Sequence, residues 1–228
     1  MDIETLNAYG AELREKLSLS TYPVAVKLVR DEKEIPANME KPESMQRHCQ
    51  FVDTVRRTGK SFCTTFDDHQ CKGGAAALGL GALSEKVKSG RFYFEDLGHF
   101  ETLEAAKKTI DSIPFLPGDS TKAVLYAPLE KASFVPDVVM FVCLPKQAMV
   151  LTQSALYAKG GRIDAAFSGK QSVCSDGVAN VMTTGTPNVT IGCSGSRSYA
   201  EIADEEMIFS LPADQLENLM NGLKIFSK

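Results

Sequence analysis

Cys71-Lys72-Gly73-Gly74 and Cys174-Ser175-Asp176-Gly177 are the stretches whose pattern governs the rest of this chain. In each, a cysteine stands beside glycine where a strand should hand over to a helix. The first is approached from Gln50 through Arg57-Thr58-Gly59-Lys60 and runs on to Gly79. The second is approached from Gln153 through Lys159-Gly160-Gly161-Arg162 and runs on to Gly185. A constant offset of 103 carries Gln50 to Gln153, Cys71 to Cys174 and Gly74 to Gly177, with one residue of slippage at the Gly59 and Gly161 turn. The spacing predicts a duplicated αβα unit folded with pseudo-two-fold symmetry. Its halves span about residues 22–90 and 136–211 of a single domain, 1–228, with 91–135 linking them. Such a unit would bring Cys71 and Cys174 to equivalent places near a shared axis, where a cofactor held from both halves would sit.

Outward from these stretches, periodicity predicts a helix over 3–17, with Leu6, Tyr9, Leu13 and Leu17 on one face, and a strand over 22–29. A helix over 45–57 should stop at Thr58-Gly59, followed by a strand over 61–66 and a helix over 73–88. Residues 91–94 read as a strand and 101–110 as a helix. Strands follow at 122–127 and 137–144, and Pro145 opens a helix running to Lys159. Strands at 162–167, 188–191 and 207–211 and helices at 176–182 and 212–223 complete the pattern. Alternating helices and strands of this kind predict an α/β or α+β fold with helices covering a mixed sheet.

The bulk properties exclude several classes of function. The 228 residues, 43% hydrophobic and 24% charged, are enough for a substantial core. A net charge of −4 without basic runs gives nothing to attract a phosphate backbone, so nucleic acid is not an expected partner. The apolar run 138–144 is too short to cross a bilayer, and Met1-Asp2-Ile3-Glu4 is acidic where a secretory signal is basic. A cytoplasmic protein without membrane contact is expected. A homodimer is left open.

In a reducing compartment, six cysteines read as core residues or ligands rather than a disulfide framework. Cys143, inside the run 138–144, reads as a core residue. Cys71 and Cys174 are placed at first turns of helices, where free N–H groups favour the thiolate. Cys193 lies in Gly192-Cys193-Ser194-Gly195-Ser196-Arg197, a small-residue loop able to converge N–H groups on sulfur, with Arg197 adding positive charge. Cys49 lies near the start of the helix that opens the first stretch. There is no Cys-x-x-Cys, so zinc-ribbon, ferredoxin-type and thioredoxin-like motifs are absent. Gly59-Lys60-Ser61 lacks the leading glycine of a phosphate-binding loop, and Gly79-Leu80-Gly81 lacks the third glycine of a dinucleotide fingerprint. His48 and His69, each within two residues of a candidate cysteine, could bond to sulfur, ligate or relay a proton, or be ordinary partly exposed histidines. The pair Asp67-Asp68 reads as a solvated turn.

The segments Arg47-His48-Cys49-Gln50, Cys71-Lys72-Gly73-Gly74 with Gly79, Cys174-Ser175-Asp176-Gly177-Val178-Ala179 with Gly185 and Pro187, and Gly192-Cys193-Ser194-Gly195-Ser196-Arg197 resemble the domain of unknown function 169 family of methanogenic archaea and anaerobic bacteria. The resemblance covers nearly the whole chain and leaves out Cys63 and Cys143. It implies a 4Fe-4S cluster held by Cys49, Cys71, Cys174 and Cys193, with a redox, electron-transfer or accessory role and an unnamed redox partner or small molecule. It implies no settled enzymatic activity. Gly73, Gly74 and Gly177 would let backbone donors approach the sulfurs, and Arg197 would add charge. Two alternatives stand beside the cluster: a metal-free thiol enzyme or small-molecule binding protein using Cys71 or Cys174, with Arg197 holding an anionic group, and a structural zinc protein.

Overall fold

The computed structural model describes residues 1–227. Six strands form one sheet: β1 Val24–Val29, β2 Phe62–Thr64, β3 Ala123–Pro128, β4 Val138–Cys143, β5 Asn188–Thr190 and β6 Met207–Pro212. Their spatial order is β2-β3-β1-β4-β6-β5, and every neighbouring pair is antiparallel. The fold is thus of the expected α-and-β kind, but its sheet is antiparallel rather than mixed.

Both faces of the sheet are covered, so β3 and β4 are buried along their whole length. Alternate residues serve different cores. Ala123, Leu125 and Ala127 join Val139, Phe141 and Phe209 beneath α1 Ile3–Lys16, α6 Pro145–Leu156 and α9 Leu216–Phe226. Val124 and Tyr126 join Val26, Met140 and Ile208 beneath α2 His48–Thr58, α3 Lys72–Ala77, α7 Asn180–Thr184 and a π-helical segment, Ser172–Ala179. The short α8 Ser194–Tyr199 packs against α2. A satellite core around Tyr93, Ala106 and Ile110 joins α4 Glu85–Lys88, α5 Leu103–Ser112 and a π-helical turn, Phe92–Asp96.

The strands follow a two-fold plan in their pairing. Val24 to Val29 pair with Pro128 to Ala123, and Val138 to Cys143 pair with Pro212 to Met207 in the same way. At the two edges, Phe62 faces Tyr126 and Asn188 faces Ser210. After Pro128 and Pro212 the chain enters a 3-10 turn, and the first N–H of each turn returns to the segment leading into β1 or β4: Leu129 to Pro23, Ala213 to Asp137. Gly59 and Gly185, with φ 72° and 65°, end the helices that precede β2 and β5.

This plan is not the expected correspondence at an offset of 103. Gln50 lies in the first turn of α2, whereas Gln153 lies near the end of α6; Cys71 caps a helix from outside, whereas Cys174 lies within one. Residues 91–135 also contain β3, which sits between β1 and β2. Two expected strands are absent. Residues 91–94 enter a π-helical turn because Tyr93 is needed in the satellite core and β2 and β5 already occupy the sheet edges. Residues 162–167 are irregular; Ala166 instead pairs its N–H and C=O with the side chain of Asn188, at 2.9 Å each.

The tightest helix contact is between α6 and α9, where a Cβ added to Gly222 would lie 2.6 Å from Ser154 Cα. Gly222→Ala is expected to lower unfolding free energy by about 1–3 kcal/mol, because the two backbones must part. Urea denaturation checks this; an unchanged midpoint would refute the close packing.

Candidate functional site

The helical layer containing α2 and α3 brings together four cysteines from four segments. Cys49 is the second residue of α2, and Cys71 is the N-cap of α3. Cys174 belongs to the π-helical segment, and Cys193 is the N-cap of α8. In the two-fold plan, Cys71 and Cys193 match, each following an edge strand and capping a short helix. Cys49 and Cys174 match as members of the helical segments that precede those strands. Segment contacts obey the same relation: α2 packs on α8, α3 on the π-helical segment, and α2 on the π-helical segment between them. Arg56, only 1% exposed, secures one of these contacts by bridging Asp53 and Glu206 and donating to the Glu201 carbonyl. The Arg47 guanidinium lies 3.7 Å from the centre of the Tyr199 ring, adding a cation–π contact between α2 and α8.

Gly74 shows how closely the sulfurs approach. A Cβ placed on it would stand 3.6 Å from both Cys71 Sγ and Cys174 Sγ, so these sulfurs lie within twice that distance of one another. The Gly74 N–H donates to Cys71 Sγ at 3.3 Å. A Cβ on Gly195 would lie 3.8 Å from Cys193 Sγ. Cys174 is buried; the other three are half-buried, so the group reaches solvent on one side.

Electrostatics ties all four together. Burial pushes the Cys49 thiol up to about 12, with the charges of Cys193 and Cys71 adding to the rise. Burial likewise raises Cys174 well above the ordinary thiol value, followed by the charges of Cys71, Cys193 and Cys49. At Cys193 burial also opposes the thiolate, but N–H and hydroxyl donors of Ser172 and Ser196 outweigh it and hold this thiol below the usual value. The Ser172 hydroxyl is buried, lacks a hydrogen bond of ordinary geometry and faces this sulfur. Backbone donors at Gln50 and Ser175 serve Cys49 and Cys174.

Residues that the sequence reading missed line the floor of this site. Tyr126, fully buried, hydrogen-bonds His48 Nδ1 at 2.8 Å; burial, with lesser contributions from Cys174 and Cys49, raises its hydroxyl far above the ordinary value. Tyr93 accepts a 3.0 Å hydrogen bond from Gln171 Nε2, and its hydroxyl is raised by burial and then by Cys174, Cys71 and Cys193. Gln171 has φ 49°, a left-handed conformation uncommon for a residue with a side chain, and its Oε1 is buried without a partner. Tyr126 had one sequence signal, a polar hydroxyl in the apolar run 123–127; Gln171 and Ser172 had none.

Several proposed site residues have other roles. Arg197 donates to the carbonyls of Ile191, Ile202, Ala203 and Glu206, so its guanidinium clasps the loops around α8 instead of facing an anion. Gly177 lets the π-helical segment approach the sheet, because a Cβ there would lie 2.7 Å from Met140 Cε. Gly73 faces Gln171, leaving Gly74 beside the sulfurs. His48 and His69 are buried rather than partly exposed; His69 bonds Thr64 at 3.0 Å, and burial lowers the two imidazoles to about 3 and about 4. Asp68 is occupied by Thr65 and Lys41, which makes the acidic pair a capped turn. Cys63 and Cys143 are in the opposite core.

The donor set suits a group that binds several thiolates at once: four sulfurs, backbone donors and a largely apolar surround. Among the described residues, no three or more His, Cys, Asp or Glu side chains are gathered to hold a metal ion.

In metal-free protein, iodoacetamide at neutral pH is expected to modify Cys193 before Cys49 or Cys174, because only the thiolate attacks and Cys193 has the lowered pKa of the three. Ser172→Ala, which removes the buried hydroxyl facing that sulfur, should slow Cys193 labelling by raising that pKa. Peptide mass spectrometry over a time course checks the order; faster labelling of Cys174 would contradict it.

Over 227 residues the chain is 40% identical to an uncharacterised protein of Methanocaldococcus jannaschii, a match covering 99% of this chain and 97% of that one. No solved structure matches. The family model described as uncharacterised ArCR, DUF169, matches residues 12–222, and the chain belongs to that family.

Proposed function

We propose that this protein binds an iron-sulfur cluster of the 4Fe-4S type through Cys49, Cys71, Cys174 and Cys193, and that it serves a redox, electron-transfer or accessory role. The observation carrying this reading is the convergence of cysteines from four segments in one helical layer, with Cys71 Sγ and Cys174 Sγ both 3.6 Å from the position a Cβ on Gly74 would take. Four thiolates cannot persist together there unless a multivalent cationic core offsets their repulsion.

The surrounding residues meet the other needs of such a group. N–H groups of Gly74, Gln50, Ser175, Ser172 and Ser196 are placed to donate to sulfur. The Tyr126 and Phe51 rings and the Val173 side chain exclude water from below. The half-buried cysteines leave one side open to an electron-transfer partner or small molecule. When bound, the cluster would supply one-electron chemistry; the chain's own residues hold it, limit its exposure and tune it through hydrogen bonds.

A second reading rests on Cys193. Its Ser172 and Ser196 donors favour the thiolate without any metal, so a thiol-based activity would use Cys193 rather than the buried Cys174 as nucleophile.

Purification without oxygen, followed by iron and acid-labile sulfide analysis, separates these readings. The cluster reading expects a brown protein with about four irons and about four sulfides per chain. Serine at any of the four positions should remove most of the colour, whereas Cys63→Ala and Cys143→Ala should retain it. A colourless protein free of iron, inactivated by alkylation of Cys193, would replace the cluster reading with the thiol one.

A further inference from the structure

A cavity of about 300 Å³ lies between the end of α5, residues 165–168 and the π-helical segment. Asp176 and Asn180 lie on its wall one helical turn apart, facing Ser112, Pro114, Ala165 and Phe167. Nothing in the cluster reading uses these groups, and the argument for the cavity does not depend on that reading.

Asp176 is only 3% exposed. Its Oδ2 accepts a 3.0 Å hydrogen bond from Thr190 Oγ1. Among the described residues, no Lys, Arg or His forms an ion pair with it, and neither its Oδ1 nor the Asn180 side-chain amide has a hydrogen-bond partner. Thr190 is therefore the carboxyl group's polar contact in a setting where a buried charge is costly without compensation. The backbone around it is firmly held: the Asp176 carbonyl accepts from Asn188, and the preceding Ser175 hydroxyl donates to the Pro114 carbonyl. Asp176 is thus presented on a fixed surface.

We propose that this cavity binds a small organic cation, a primary amine or amidine with a compact apolar body. The cationic N–H groups would donate to Asp176 Oδ1 and to the Asn180 carbonyl oxygen, while the hydrocarbon part would lie against Phe167, Pro114 and Ala165. An anion would find no positively charged side chain on the wall, which is lined by Ser112, Pro114, Ala165, Phe167, Asp176 and Asn180. A bare metal ion would find a single carboxylate where it needs several ligands. The volume falls at the lower end of small-molecule sites, which sets the size of the ligand.

The test uses the full chain and isothermal titration with benzylamine, with benzyl alcohol as its uncharged counterpart. Benzylamine is expected to bind saturably, with a dissociation constant of about a millimolar or tighter, and benzyl alcohol at least about tenfold more weakly. Asp176→Asn retains the shape and the Thr190 contact and should weaken benzylamine by about tenfold or more. Ala165→Trp, at an exposed position, should abolish binding by filling the cavity and keeps the test decisive if Asp176→Asn fails to fold. Serine variants of the four cysteines that remain folded should bind benzylamine normally, which separates failure of this proposal from failure of the cluster reading. Absence of saturable binding by benzylamine, benzamidine and n-butylamine would overturn the proposal. So would benzylamine binding that is unchanged in both cavity variants, or equal affinity for benzyl alcohol.

Discussion

Three residue pairs at the centre of the sheet, Val24 with Met140, Ala25 with Val139 and Val26 with Val138, join two three-stranded halves. Each half places a long strand beside the join, a second long strand next to it and a short strand at the edge. Met140 and Val26, on the two strands of the join, face the same core as α2, α3 and the π-helical segment that carry three of the four cysteines. A slip of one residue here would exchange the two faces of a strand and send Met140 or Val26 into the wrong core. The cysteine site is therefore positioned by a buried hydrophobic ladder that contains none of its four cysteines.

Proximity above that ladder changes the chemistry of the cysteines. An isolated buried thiol stays protonated and behaves as a small apolar group, as Cys143 does when burial pushes it up to about 12. Cys49 and Cys174 share that burial but also feel neighbouring sulfurs, and Cys193 is drawn the other way by serine donors. The site's strained Gln171 and its orphaned Ser172 hydroxyl lie on the segment that carries Cys174, consistent with a local backbone shaped by function rather than by propensity.

Much of the site was legible because chemistry-bearing residues recur with small ones: cysteine beside glycine or serine marked the segments that converge. The residue correspondence was misread, because local likeness between Cys71-Lys72-Gly73-Gly74 and Cys174-Ser175-Asp176-Gly177 suggested a match that strand pairing does not follow. Gly177 looked like a second Gly74 but is required by Met140, a residue on β4. Arg197 looked like an anion ligand but is occupied by backbone carbonyls brought near by the loop before β6. A free arginine and a tethered one have the same sequence signature, and only the position of distant carbonyls distinguishes them.

The sequence by itself determined the α-and-β composition, most of the helices and central strands and the core placement of Cys143. These follow from periodicity, turn residues and local composition, which act over a few residues. The tertiary structure alone decided the antiparallel strand order, the pairing of Cys71 with Cys193 and of Cys49 with Cys174, the burial of both histidines and the presentation of Asp176 on a cavity wall. Each of those depends on contacts between segments tens of residues apart, where desolvation and register, rather than local preference, set the outcome.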